Sequence, residues 1–203
     1  SALDEIVSRI DKVFLLDDIG LPYVPNMVRV GVQSSVDSKV EQYYIDAVVK
    51  KKNEKFAGQD ALPMVLLNGA LKDADIVFST LQFCAAAAEG SAVFSGIQFD
   101  YICIDEAAQA LEPTSLIPLV FDCKKLFLVG DPVQLPATVL SPNGIDLGYG
   151  QSLFARLQAC GHPVHFLKTQ YRMHPEIRLF PSNAFYGGQL VDGLGLRETN
   201  DRP

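Results

Sequence analysis

Residues 99–109 have the sequence FDYICIDEAAQ, in which a mostly apolar stretch ends in two adjacent carboxylates. Residues 99–104 are short, apolar and rich in types that favour β-strands. A strand that is apolar on both of its faces is typical of a parallel sheet covered by helices. This segment therefore predicts an α/β fold built on a parallel sheet.

Four other stretches share this apolar, β-branched character and are also predicted as strands. They are residues 27–32, 75–80, 125–129 and 164–167. Helical periodicity or helix start and stop signals occur at residues 2–11, 36–56, 113–119 and 152–160. Residues 62–71 are apolar and ambiguous, and residues 141–150 are rich in turn residues and predict a loop. Strands that alternate with helices indicate a central parallel sheet.

The composition bounds the class of protein. The chain has 203 residues, of which 48% are hydrophobic and 20% charged, and its formal net charge is −7. These values exclude a disordered, collagen-like or disulfide-dense chain. No apolar run has the roughly 18–20 residues of a membrane helix, and the first residues do not form a signal peptide. The negative charge argues mildly against binding to nucleic acid, which usually requires a basic surface.

Polar residues follow three of the predicted strands. Ligands of such sheets bind beyond the carboxyl ends of the strands. An apolar strand that ends in Asp105 and Glu106 is the Walker B arrangement. There Asp105 would hold Mg²⁺, usually through water, and Glu106 would polarise the water that attacks a γ-phosphate. The alternative is an ordinary helix N-terminus, where acidic side chains complement the helix dipole.

Two further residues occupy comparable positions. Gln134 follows the next predicted strand, and its neutral amide could sense a γ-phosphate or orient water. Arg172 follows the strand predicted at 164–167, and its guanidinium could act as an arginine finger. The alternative for Arg172 is a structural ion pair.

A basic run closes the helix predicted at 36–56. It contains Lys50, Lys51, Lys52 and Lys55. Such a run is usually a solvated helix face, and the alternative is an arm that contacts phosphates.

Together these segments resemble a known family. Residues 104–109 (IDEAAQ), 129–138 (VGDPVQLPAT) and 170–177 (QYRMHPEI) resemble motifs II, III and IV of superfamily 1 helicases. The subgroup that fits is the senataxin-like one, which also contains the nonsense-mediated-decay RNA helicase. Shorter matches occur at 3–6 and 28–31, and residues 180–190 resemble the opening of a second RecA-like domain.

The resemblance implies a fold and its domain boundaries. The fold would be a RecA-like P-loop NTPase domain with a central parallel sheet, incomplete, followed by the start of a second RecA-like domain. Residues 1–167 would belong to the first domain, with an insertion at 32–74, and residues 168–203 to the second.

The resemblance also implies roles for individual residues. Asp105 would act on Mg²⁺, Glu106 would be the general base, and Gln134 would contact the γ-phosphate of ATP. Arg172 would contact phosphate from the second domain. The other residues implied at the nucleotide site are Gln109, Gly130, Asp131, Gln170 and Tyr171. Those implied near nucleic acid are Ser79 and Thr80, with Lys50, Lys51 and Lys52 as candidates in the insertion.

One departure from the family pattern is large. The Walker A pattern G-x-x-x-x-G-K-[ST] does not occur, since none of the 15 glycines is followed by lysine. That loop and its lysine hold the β- and γ-phosphates. We therefore expect an internal segment of a larger protein that does not turn over ATP alone. Ala137, where the family usually has proline, is a mild departure.

The expected parent is an ATP-dependent helicase that uses Mg²⁺ and acts on single-stranded RNA or DNA. The alternative is a non-catalytic module, derived from a helicase, that binds nucleic acid or protein. A different P-loop enzyme is disfavoured by the YRMHP sequence at 171–175. Protein partners could bind the 32–74 insertion, and the isolated chain is expected to self-associate. The resemblance favours an intracellular location, the nucleus over the cytoplasm.

Overall fold

The computed structural model describes residues 2–55, 63–88, 94, 96–194 and 196. The α-helices are α1 (Ala2–Ile10), α2 (Ile45–Lys55), α3 (Pro63–Lys72), α4 (Leu81–Ala88), α5 (Glu112–Leu116), α6 (Pro142–Asp146), α7 (Leu153–Ala159) and α8 (Pro175–Phe185). The strands are β1 (Leu15–Leu16), β2 (Pro22–Tyr23), β3 (Met27–Arg29), β4 (Ile76–Phe78), β5 (Tyr101–Ile104), β6 (Lys125–Leu128), β7 (Thr169–Gln170) and β8 (Val191–Asp192). Short 3₁₀ helices span Gln33–Ser35, Ser38–Tyr43, Ala107–Gln109 and Ile117–Phe121.

The strands pair two by two. β3 with β4, β5 with β6, and β7 with β8 are parallel pairs, whereas β1 and β2 form an antiparallel hairpin. The predicted α/β class with parallel strands is confirmed. Within the described residues, however, these pairs do not join into one central sheet. A cavity of about 120 Å³ is lined by residues of both β4 and β5.

The first helix is held by apolar contacts and by a buried ion pair. Val7 packs with Met27, and Asp4 of the same helix lies beside Arg29 of β3. Arg29 Nε donates to Asp4 Oδ1 at 3.2 Å, and the two side chains are only 1% and 3% exposed. The backbone N–H of Asp37 donates to Asp4 Oδ2 at 3.3 Å. One carboxylate therefore joins α1, β3 and the segment that precedes α2.

Residues from the predicted 32–74 insertion lie in the cores of the fold. Val40 is buried against α1 and β3, while Tyr44 and Leu71 are buried in a second core around Val28. The apolar residues 63–71, ambiguous in sequence, belong to helix α3. Residues 56–62, at the end of the predicted 36–56 helix and beyond, lie outside the described residues.

Two predictions of secondary structure are wrong. The strand predicted at 164–167 has no regular structure and is exposed; the short strand β7 begins at Thr169 instead. Its partner β8 forms ladder hydrogen bonds with residues 168–170. The Val191 N–H donates to Lys168 O, and the Gly193 N–H donates to Gln170 O. The loop predicted at 141–150 contains α6, since the Ser141 side chain caps it by accepting from the Gly144 N–H.

One face of the β5–β6 pair is exposed. The rings of Tyr101 and Phe127 lie on this face with centroids 6.2 Å apart, and both side chains are at least half exposed. This is unusual for a parallel pair, which helices normally cover on both faces. No helix in the described ranges is long and apolar enough to cross a membrane.

Candidate functional site

The two carboxylates lie in a turn at the carboxyl edge of the β5–β6 pair. β5 ends at Ile104, and Asp105 and Glu106 are exposed directly after it. The Val129 N–H donates to Ile104 O at 2.9 Å, and the Ala107 N–H donates to Val129 O at 2.8 Å. These bonds extend the ladder past the last strand residue and fix the turn against the end of β6.

Glu106 has a left-handed backbone, with φ 52° and ψ 36°. That conformation costs a residue with a side chain on the order of 1–2 kcal/mol, and such strain clusters at functional sites. The amide of Gln109 donates to Glu106 Oε2 at 3.0 Å. The turn and the amide thus hold the carboxylate in one place while it stays open to solvent.

Gly130 brings the loop after β6 against this turn. A Cβ at Gly130 would lie 2.8 Å from the backbone nitrogen of Ala108 and 3.0 Å from that of Ala107. Only glycine allows such an approach between two backbones. The loop that carries Gln134 therefore starts in contact with the turn that carries Glu106.

Asp131 is the centre of a hydrogen-bonded cluster in that loop. Its Oδ2 accepts from Gln134 Nε2 at 2.8 Å and from Tyr186 Oη at 2.6 Å, and its Oδ1 accepts from the Val133 N–H at 3.0 Å. Burial alone would raise the pKa of Asp131, but these hydrogen bonds outweigh it and lower the pKa. The hydrogen bond from Tyr186 Oη to Asp131, together with burial, raises the pKa of Tyr186.

A cavity of about 280 Å³ lies beside the carboxylate turn. It is lined by Glu106 and Gln109, by Leu81 and Gln82 at the start of α4, and by Thr138 from the end of the Gln134 loop. Neither Gln134 nor Arg172 lines this cavity. The structure thus brings Glu106 together with the segment that directly follows Ser79 and Thr80.

Thr80 caps helix α4, since the Phe83 N–H donates to its Oγ1 at 3.3 Å. Ser79 Oγ donates to the carbonyl oxygen of Thr80 at 3.1 Å. These two residues therefore fix the direction in which α4 leaves β4, and α4 borders the cavity beside Glu106.

Gln170 organises the loop that carries Arg172. Its Nε2 donates to Asp192 Oδ1 and to Met173 O, each at 2.7 Å, and its Oε1 accepts from the backbone N–H groups of Arg172 and Met173. The NH₂ group and the carbonyl oxygen of this side chain thus both form hydrogen bonds within the chain. Tyr171 and Arg172 are exposed. Arg172 has no ion pair with any described residue, so the alternative that it forms a structural ion pair has no support.

The basic run divides into two parts. Lys52 Nζ donates to Asp73 Oδ2 at 2.6 Å and to Gly69 O at 3.3 Å, so it ties α2 to the end of α3. Lys50 and Lys51 are exposed and have no ion pair in the part of the chain that the structure describes.

Sequence reasoning missed two of these arrangements. The bond between Asp131 and Tyr186 joins residues 55 apart, and the Asp192 carboxylate that Gln170 and Arg178 share comes from β8. The only available signal was the density of polar residues in the motif segments.

Comparisons with known proteins agree with the sequence motifs. Two family models, each described as an AAA domain, match residues 59–142 and 149–202. The chain is 47% identical to the probable helicase MAGATAMA 3 of Arabidopsis thaliana, over all of the chain and 25% of that protein. It is 39% identical to the helicase sen1 of Schizosaccharomyces pombe, over 84% of the chain and 10% of that protein. It is 45% identical to the regulator of nonsense transcripts 1 of Dictyostelium discoideum, over 61% of the chain and 9% of that protein. The chain spans a quarter or less of the length of these relatives.

Proposed function

Because the chain belongs to the senataxin-like superfamily 1 helicases, we propose that it is part of an ATP-dependent motor that moves along or unwinds RNA or DNA. Its α/β fold is the RecA-like fold of that family. The observation that carries the proposal is the exposed Asp105–Glu106 turn, against which the Gly130 loop packs. In this proposal residues 1–167 belong to the first RecA-like domain, with the insertion at 32–74, and residues 168–203 to the second.

The residues of the turn fit a magnesium nucleotide. Mg²⁺ is usually held by one or two carboxylates together with substrate phosphates, and the exposed Asp105 offers one such carboxylate. When bound, the nucleotide supplies the phosphoryl group whose hydrolysis releases free energy. Glu106 accepts the proton of the attacking water, and the amide of Gln109 keeps that carboxylate in position.

The remaining residues of the site act on the phosphates and on the cleft between domains. Gln134 contacts the γ-phosphate through its amide, with Gly130 and Asp131 shaping its loop. Arg172 approaches the phosphates from the second domain, and Gln170 and Tyr171 shape its loop. A guanidinium delivered in this way stabilises the charge of the transition state.

Nucleic acid binds on the side of Ser79 and Thr80 in this proposal. Helix α4, which these residues start, borders the cavity beside Glu106, so a strand held there can influence the turn. Lys50 and Lys51 add sequence-independent contacts to phosphates. Lys52 contributes through its bond with Asp73, which orients α2.

We propose further that this chain alone does not turn over ATP, since its sequence has no Walker A pattern. The full-length protein would carry the activity. The second candidate, a non-catalytic module that binds nucleic acid or protein, is favoured by that same missing pattern. The exposed Asp105 and Arg172 argue against it, because neither forms an ion pair with any residue that the structure describes.

The test is ATP hydrolysis by the full-length protein, with and without single-stranded RNA. Glu106→Gln should lower turnover by about 10²–10⁴-fold, the usual contribution of a general base. Glu41→Gln, at an exposed residue remote from the turn in sequence, is the matched control and should change nothing. Equal turnover of the two variants would exclude the motor function, and rapid turnover by the 203-residue chain would exclude its inactivity.

The contact with nucleic acid is tested by the salt dependence of binding. Each phosphate contact contributes about 0.7 to the slope of log K against log salt for a single strand, so Lys50→Ala with Lys51→Ala should lower the slope by about 1.4. The pair Lys12→Ala with Lys39→Ala removes the same charge from other exposed positions. If both pairs change the slope equally, the effect is general charge and not a site.

A further inference from the structure

A single carboxylate oxygen joins two distant segments of the chain. Asp131 Oδ2, in the loop after β6, accepts from Tyr186 Oη at the end of α8 and from Gln134 Nε2 in its own loop. The Val133 N–H donates to the other oxygen and fixes the orientation of the carboxylate. Both donors therefore depend on the position of one carboxylate oxygen.

The carboxylate orients the amide of Gln134. A carboxylate only accepts hydrogen bonds, so the NH₂ group of Gln134 faces Asp131. That group has two N–H bonds, and Asp131 occupies one of them. Phosphate oxygens also only accept, so the second N–H has the chemistry required for a phosphate. Without Asp131 the amide could rotate and present its carbonyl oxygen, which would repel a phosphate.

The position of Tyr186 follows α8. Its ring is stacked with Phe166, with centroids 5.9 Å apart and an interplanar angle of 23°, and it also contacts Phe185. The ring is thus held by its aromatic neighbours, and only the hydroxyl reaches Asp131. A shift of α8 away from the β6 loop would remove that hydroxyl and leave Asp131 with Gln134 and Val133.

We propose that Asp131 is a positioning residue that couples the placement of α8 to the orientation of Gln134 through Tyr186. The inference rests on the proposed function, because it takes Gln134 as the residue that contacts the γ-phosphate. Asp131 then does not touch the nucleotide; it transmits the closure of the cleft to the residue that does.

The test compares Tyr186→Phe with Tyr149→Phe in the full-length protein. Tyr186→Phe keeps the ring and removes the hydroxyl, while Tyr149 is exposed and its hydroxyl has no described partner. Loss of a hydrogen bond to a charged group predicts roughly a tenfold fall in RNA-stimulated turnover. The KM for ATP should stay near that of the parent while the turnover falls, a split that a merely structural role would not predict. In an Asp131→Asn background, Tyr186→Phe should have little further effect.

The contact itself is tested in the 203-residue chain by titrating the tyrosines. Asp131→Asn should lower the pKa of one phenol, and Tyr186→Phe should remove that phenol from the titration. An unchanged titration overturns the inference. The inference is also overturned if Gln134→Ala reduces RNA-stimulated turnover and Tyr186→Phe leaves that turnover unchanged. In that case the proposed function still stands. If Gln134→Ala and Glu106→Gln are also without effect, the proposed function fails as well.

Discussion

Asp4→Ala would leave the guanidinium of Arg29 in the protein interior without the carboxylate beside it. Both side chains are almost completely buried, and Arg29 would keep its hydrogen bond to the carbonyl oxygen of Val30. The backbone N–H of Asp37 would lose its acceptor as well. The substitution therefore removes more than a packing contact, because it leaves buried donors and a buried charge uncompensated.

The size of the effect follows from the burial of the pair. Removing one partner of a buried ion pair costs about 3–5 kcal/mol, against a total stability of about 5–15 kcal/mol for a native protein. For a chain of this length each kcal/mol lowers Tm by about 2–4 °C, so we expect a loss of about 6–20 °C. Asp4→Leu combined with Arg29→Met should recover most of this loss, since it removes the charge that Asp4→Ala leaves behind.

The assay is unfolding of the 203-residue chain by urea and by heat, followed by circular dichroism. Glu5→Ala is the matched control, because it removes the same charge from the adjacent position of α1, where Glu5 forms an exposed pair with Arg9. An exposed pair contributes little, so this variant should unfold with the parent. If Asp4→Ala unfolds within about 2 °C of Glu5→Ala, the buried pair does not stabilise the fold and the reasoning is refuted.

Three other expectations can be measured on the same chain. Burial and a hydrogen bond to a carboxylate raise the pKa of Tyr43 to about 12, above the ordinary value of about 10. The folded state then keeps this proton longer than the unfolded state, so stability should fall between about pH 10 and 12, and Tyr43→Phe should reduce that fall. Gly130→Ala should destabilise by about 1–3 kcal/mol because its Cβ would meet backbone at 2.8 Å, whereas Gly69→Ala, with open space around its Cβ, should not. Tyr101→Lys combined with Phe127→Lys removes the exposed aromatic pair and should convert a self-associating chain into a monomer in sedimentation velocity. A parent chain that is already monomeric would contradict this expectation.

The elements that local sequence determines were the predictable part of the fold. The apolar periodicity of α1 and the apolar runs at β5 and β6 were interpreted correctly, because the pattern of each lies within its own residues. The strand at 164–167 was predicted wrongly because pairing depends on a partner, and β8 pairs further along the chain. Burial of Asp4 was also out of reach, since its partners Arg29 and Asp37 lie 25 and 33 residues away.

The candidate site divides in the same way. The adjacent carboxylates after β5 can be found from sequence, since a strand end and two acidic residues form a local pattern. That Gln170 is used inside its own loop, and that Asp131 joins Gln134 to Tyr186, could not be found, because these contacts depend on how separate segments pack. Sequence thus indicates which residue types gather at the site, and packing decides which of them stay open to a ligand.

The left-handed backbone of Glu106 has a consequence for attempts to engineer this chain. Glycine adopts that conformation without the strain of a side chain, so Glu106→Gly would relieve on the order of 1 kcal/mol while removing the carboxylate. Asparagine, which also tolerates this region, offers a similar route. A directed-evolution screen that rewards heat resistance alone would therefore enrich chains that have lost the residue assigned as the base. Survival in such a screen has to be linked to turnover if the site is to be kept.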